Sequence, residues 1–275
     1  LPMSAKLTPD DLQADHKSLL GNAQMLRHLR VERHFSEEMI EKLQIGWVEH
    51  AGYEWFSFPV LGETGECKFK RLKKPPSGSD QQARMMCCPA KCGTTLYPLQ
   101  LFEKDNEQIV LCEGEPDAIA ARSVGLHALS GTAGAGTFKA EWLEILHKGT
   151  KSKRFYVLYD NDEEGEKGTT KVLKLAAEVC PDWKLHRIKW PDGFKGKDVT
   201  DFLSDCSAED KAKALLSLCR EYEPPTPRDR LIETLAAGDA LTMLAPCHGI
   251  WNGQGYVCVN LRQGGEFASY ILTSE

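Results

Sequence analysis

From about residue 107 onward, short apolar runs alternate with amphipathic stretches. "QIVLCE" (108–113), "RFYVLYD" (154–160) and "WKLHRIKW" (183–190) have the length and β-branched or aromatic content of buried strands, and "LHALS" (126–130) is another short apolar run. Between them, "PDAIAARSV" (116–124), "TFKAEWLEILHK" (137–148) and "EKGTTKVLKLAAEVC" (166–180) repeat apolar residues at helical spacing, and "DVTDFLSDC" (198–206) starts another helix. This alternation predicts a mostly parallel sheet covered on both faces, with ligands at the carboxyl ends of its strands.

The chain before residue 107 reads differently. "LTPDDLQADHKSLLGNAQMLRHLR" (7–30) is helical, broken at Gly21, and "FSEEMIEKLQIG" (35–46) is a second helix with Ser36 as N-cap and Gly46 as its end. "YEWFSFPVLGETGECKFKRL" (53–72) is β-like around a turn at residues 62–65, and the polar "KKPPSGSDQQAR" (73–84) is a loop. After the Pro-rich linker "EYEPPTPRD" (221–229), "RLIETLAAGDALTML" (230–244) reads as a helix and "GYVCVNL" (255–261) as a strand. The expected class is α/β, α+β overall. A basic N-terminal subdomain occupies residues 1–105, a parallel-sheet subdomain 106–222, and a C-terminal appendage of unassigned role 223–275.

Composition adjusts this picture in two places. The 275 residues carry a formal net charge of -6, which argues against a general nucleic-acid binder. Yet between Cys67 and Lys91 seven cations (Lys68, Lys70, Arg71, Lys73, Lys74, Arg84, Lys91) face a single acid, Asp80. Such a local patch suits phosphate contacts; the bland alternative is a solvated loop face. Ten cysteines without a secreted spacing, and an N-terminus "LPMSAKLTPDD" lacking an apolar signal core, point to reduced thiols in the cytoplasm. No apolar run approaches membrane-spanning length.

The candidate chemistry is acidic. Glu113 follows one predicted strand, Asp160 and Asp162 follow another, and Asp198 lies after the fourth. Parallel strands gather these ends along one edge. Carboxylates brought together there need a cation, and Mg²⁺, or Mn²⁺ in its place, suits an oxygen-only set. Taken singly, each acid reads better as a helix cap or a solvated loop charge, and only the three strand ends together favour the cation; Glu163 and Glu164 are read as helix-start charges. "MMCCPAKCG" (85–93) offers one cysteine knuckle without a partner, so zinc on Cys67, Cys87, Cys88 and Cys92 is not expected.

"CEGEPDA" (112–118), "YDNDEEG" (159–165) and "GKDVTDF" (196–202) resemble the three motifs of the TOPRIM domain. With "SGTAGAG" (130–136), they are similar to DnaG-type and phage or plasmid primases in particular. "LRHLRVERHFSEEMIEKLQIGW" (26–47) resembles the segment that opens the primase catalytic core, and "TTLYP" (94–98) the short segment before TOPRIM. The resemblance covers roughly residues 20–220. It implies a DNA-dependent RNA primase core without an N-terminal zinc ribbon. Its partners would be single-stranded DNA template, ribonucleoside triphosphates and a replicative helicase. Glu113, Asp160 and Asp162 would serve the metal-dependent chemistry, with Asp198 as a further metal ligand. The second acid of the third motif falls on Thr200 in this chain, so no metal role passes to Asp201. Lys68, Lys70, Arg71, Lys73, Arg84, Ser130, Gly131, Thr132 and Lys197 would contact nucleic acid or nucleotide. The alternatives are a TOPRIM nuclease and a non-catalytic primase-like DNA-binding module. On the primase reading, Asp162→Ala is expected to abolish primer synthesis with the fold intact.

Overall fold

The computed structural model describes residues 7–62, 65–75, 85–90, 92–103, 105–132, 135–225, 242–251, 254–263 and 266–273. Arg84 and Lys91 lie outside them. Leu1–Tyr222 form one compact unit and Glu223–Glu275 a second.

The first unit opens with α1 (Pro9–Leu20), whose N-cap Thr8 and third residue Asp11 close a reciprocal capping box. Helix α2 (Ala23–Arg27) runs on into a π-helical turn at His28–Glu32. Ser36 caps α3 (Glu37–Lys42) by accepting the Met39 amide at 3.2 Å. Strands β1 (Gly46–His50), β2 (Tyr53–Leu61), β3 (Cys67–Lys73) and β4 (Met85–Cys88) then form an antiparallel sheet in sequence order. β4 was not evident in the sequence, because four residues of Met and Cys carry no alternation.

The second sheet has six strands: β5 (Leu96–Tyr97), β6 (Ile109–Cys112), β7 (Ala128–Gly131), β8 (Arg154–Leu158), β9 (Lys184–Ile188) and β10 (Cys219–Glu221), in the order β10-β9-β8-β6-β7-β5. The inner four are parallel and the two edges antiparallel. Helices α4 (Glu115–Ser123), α5 (Ala140–Gly149), α6 (Glu163–Val179), α7 (Val199–Asp205) and α8 (Lys211–Ser217) complete it. The period of two along β6 divides its side chains between two cores. Val110 and Cys112 join the cluster containing Phe56, Phe58, Ile119 and Leu203, and Ile109 and Leu111 join the one containing Trp142, Phe155 and Val172. The first cluster runs from the antiparallel sheet across α4, so the strand ends of the parallel sheet are fixed relative to β3.

The second unit shows strands β11 (Thr242–Trp251), β12 (Gln254–Gln263) and β13 (Glu266–Thr273), each antiparallel to the next. The helix expected over 230–244 falls mostly outside the described residues. Its last three residues, Thr242–Leu244, are strand, paired with Asn260–Arg262; cross-strand pairing overrides their weak helical pattern.

Candidate active site

Glu113 comes directly after β6, and Asp160 two residues after β8. The two meet: the Asp160 amide donates to Glu113 Oε2 at 3.3 Å. Asp162 is the N-cap of α6, with Oδ1 accepting the Gly165 amide at 2.8 Å. Gly165 is required there. A Cβ would sit 2.2 Å from the Asp160 carbonyl oxygen, so only glycine lets α6 start this close to the acid. Asp198 is the N-cap of α7, with Oδ1 accepting the Asp201 amide at 2.9 Å. Asp162 and Asp198 are therefore helix caps, and the helices they start begin at the acidic edge. Glu163 and Glu164 are exposed and pair with Lys167 at 2.7 and 3.2 Å.

One residue that the sequence reading passed over belongs to this cluster. Asp117 lies four residues after Glu113, in the first turn of α4, and is buried; its Oδ1 accepts from Thr200 Oγ1 at 3.0 Å. Thr200 occupies the place of the missing second acid and holds Asp117. The four-residue spacing from Glu113 was the available signal, hidden because an acid in a first helical turn already has a dipole explanation. Asp201 Oδ2 accepts the Lys197 amide at 2.6 Å, fixing the loop before α7.

The electrostatics follow from burial. Desolvation, then the charge of Glu113, pushes the Asp160 carboxyl up to about 6, against the pull of Lys197. Desolvation also raises Glu113. Asp117 is pushed up to about 7, first by burial and then by Asp198. Asp162 goes the other way, because the Gly165 amide and then the Lys197 ammonium favour its charged form. Lys197 Nζ lies 3.1 Å from Asp160 Oδ2 and 3.3 Å from Asp162 Oδ2. One cation thus bridges both carboxylates.

The cationic candidates are distributed unevenly. Lys68 is exposed. Lys70 is buried and bound to Asp15 Oδ2 at 2.7 Å, so its charge is already matched inside the fold. Arg71 reaches Glu115 at 2.8 Å and Cys87 Sγ at 3.0 Å, and also contacts Met85 Sδ. Lys73 faces the acidic edge: burial, then Arg33, lowers its ammonium, while Asp117, Glu115 and Asp198 raise it. With His28, Arg33, Phe56 and Phe58 it lines a cavity of about 80 Å³ that reaches Pro116, at the start of α4. Ser130 is buried beside Cys112 in the sheet, Gly131 lies against Trp142, and Thr132 exchanges two hydrogen bonds with Thr95, each 3.0 Å. Gly131 and Thr132 are taken up in the fold, while the buried Ser130 hydroxyl finds no hydrogen-bond partner among the described residues.

Residues 110–203 match the sequence model of a family described as Toprim-like. No curated protein matches the chain by sequence. By fold, the chain resembles primase catalytic cores well beyond the matched segment. The Aquifex aeolicus primase, solved with its zinc-binding and RNA polymerase domains, gives a TM-score of 0.60 at 15% identity, over 84% of this chain and 66% of that one. This chain therefore spans just under two thirds of that structure. The E. coli primase catalytic core gives 0.59 at 17% identity, over 82% of this chain and 88% of that one. A DnaG primase catalytic domain bound to single-stranded DNA gives 0.59 at 16%, over 83% and 80%. At these identities the likeness is one of fold, and it agrees with the α/β class and the primase-type architecture that the sequence predicts.

Toprim domains generally bind Mg²⁺ on acidic residues. The donor set here suits a hard cation: it is all oxygen, and Asp160 and Asp162 already converge on one positive charge. Among the described residues, no group of three or more His, Cys, Asp or Glu side chains is arranged to hold a metal ion by itself. Such a partial set fits Mg²⁺, which keeps waters and takes its remaining ligands from substrate phosphates.

Proposed function

We propose that this chain is the catalytic core of a DNA-dependent RNA primase, joining ribonucleotides on single-stranded DNA by Mg²⁺-dependent nucleotidyl transfer. The observation that carries this reading is the meeting of Glu113 and Asp160 across two parallel strand ends, with Asp162 and Asp198 starting the adjoining helices. The primase-type fold of residues outside the Toprim-like domain supports it over a bare Toprim hydrolase.

Asp160 and Asp162 would hold the metal, with Asp198 and Glu113 beside them. Bound Mg²⁺ supplies positive charge to the reacting phosphates and eases ionisation of the attacking 3′-hydroxyl. Glu113, half-buried with a raised pKa, is placed to take that proton. Arg33 and Lys73, near the acidic edge, would hold the phosphates of a nucleotide. Lys68, on exposed β3 surface, would contact template phosphate. The N-terminal residues 1–105 then serve as the substrate-holding part, 106–222 as the catalytic part, and 223–275 as an appendage outside the reaction.

The deciding experiment incubates the full chain with varied single-stranded DNA templates, the four ribonucleoside triphosphates and Mg²⁺. Short RNA products are expected, and Asp160→Asn should reduce them about a hundredfold or more while still unfolding cooperatively. Shortened DNA without RNA, or full synthesis by folded Asp160→Asn, would sink the proposal.

A further inference from the structure

Lys197 sits at the end of the loop between β9 and α7, and its backbone is pinned on both sides. The Asn161 amide donates to the Lys197 carbonyl at 2.6 Å, and Asn161 Nδ2 to the Gly196 carbonyl at 3.2 Å. The Lys197 amide donates to Asp201. Gly196 leaves no room to re-route the chain, since a Cβ there would meet Phe194 Cζ at 2.3 Å and Asp201 Cβ at 2.7 Å. The loop is thus tied to the segment joining Asp160 and Asp162. The side chain, by contrast, is 61% exposed, while that of Asp160 is 15% exposed. The ammonium approaches the two carboxylates from the solvent side and can withdraw that way, with its backbone held in place.

We propose that Lys197 is a tethered counter-ion of the acidic edge: its ammonium holds Asp160 and Asp162 together when no metal is bound, and a divalent cation must displace it to bind. This rests on the metal-dependent reading above and adds to it a residue that sets the metal affinity. A single charge bridging two carboxylates relieves their repulsion but supplies only half the charge of a divalent ion. The metal therefore wins the exchange, at an affinity lowered by the two ion pairs it breaks. Once displaced, the ammonium stays within its side-chain length of the metal and is available to a phosphate oxygen. The site would thus gain an anion-binding group in the act of binding its cation.

Mn²⁺ is the probe, because its free fraction is counted directly by electron paramagnetic resonance. The full chain is titrated as wild type, Lys197→Met, which keeps the stem without the charge, and Lys197→Arg, which keeps the charge. Lys197→Met should bind Mn²⁺ roughly tenfold more tightly than wild type, and Lys197→Arg within about twofold of it. In chelator, Lys197→Met should melt at a lower temperature than wild type, and Mn²⁺ should close the gap. Wild-type binding that depends on Asp160, with Lys197→Met no tighter, would overturn the counter-ion and leave the nucleotidyl-transfer reading standing. Absence of Mn²⁺ binding in wild type and Lys197→Met alike would overturn both.

Discussion

On strand β3, Lys70 is buried against Asp15 and Arg71 against Glu115. At the carboxyl edge of the six-stranded sheet, Glu113 and Asp160 are held close together, and both are pushed towards their protonated forms. The two regions are opposite in sign, and they differ more in how far their charge is already matched. The cations of β3 include two that other elements neutralise, one from α1 and one from α4. The acids instead crowd one another and draw on one exposed lysine. A run of like charge in a sequence therefore counts groups rather than available charge. The region that looked most strongly charged is partly a set of internal ion pairs, and the sparser acids make the surface that needs a cation.

The sharpest way to break this comparison is to remove the ammonium of Lys70. Lys70→Met strands Asp15 as a buried, unpaired carboxylate and should cost about 3–5 kcal/mol in urea unfolding. If Lys70→Met instead kept its stability and lost affinity for single-stranded DNA, β3 would be a binding surface after all.

Next in size is the pH dependence set by Asp117. Its folded pKa of about 7 lies above the ordinary 3.8, so between about pH 4 and 7 the folded state binds more protons than the unfolded. The stability that Asp117 contributes should therefore be fullest below pH 4 and fall as pH rises to 7, with Asp160 adding the same sign up to about 6. In chelator, wild type should lose about 2–4 kcal/mol across that window, and Asp117→Asn should lose less. A flat profile in wild type would mean that the acidic edge is not short of positive charge.

A smaller effect separates the two duties of Asp162. Its carboxylate caps α6, so Asp162→Ala should lose about 1 kcal/mol and Asp162→Asn only a few tenths, while both lose primer synthesis. The smallest effect is that of Lys68. Lys68→Ala should leave melting unchanged and lower the salt dependence of DNA binding by about one phosphate contact.

Much of the architecture was legible because it rests on short-range pattern. The runs at "QIVLC", "FYVL" and "KLHRI" are strands, and the acids after the first two of them meet, because the strands are parallel and neighbouring. What escaped the reading is long-range or doubly explained. Asp15 and Lys70 are fifty-five residues apart, and nothing local marks either as the other's partner. Asp117 was disguised by its place in a first helical turn. Lys197 appeared as one more phosphate-binding cation, and only the position of its loop brings it to Asp160 and Asp162. Strand β10 is three residues of Cys, Arg and Glu, recognisable only by its pairing with β9.

The capping duty of Asp162 and Asp198 bears on how descent from this fold should be read. A lineage that lost its chemistry would still be selected to keep a capping side chain (Asp, Asn, Ser or Thr) at both positions, because each helix start depends on one of them. Their survival in a relative is thus a record of folding as much as of activity. Glu113 and Asp160 start no helix, and relaxed selection would show there first. A relative that retains the two caps but has drifted at Glu113 and Asp160 should be read as a scaffold that has outlived its reaction.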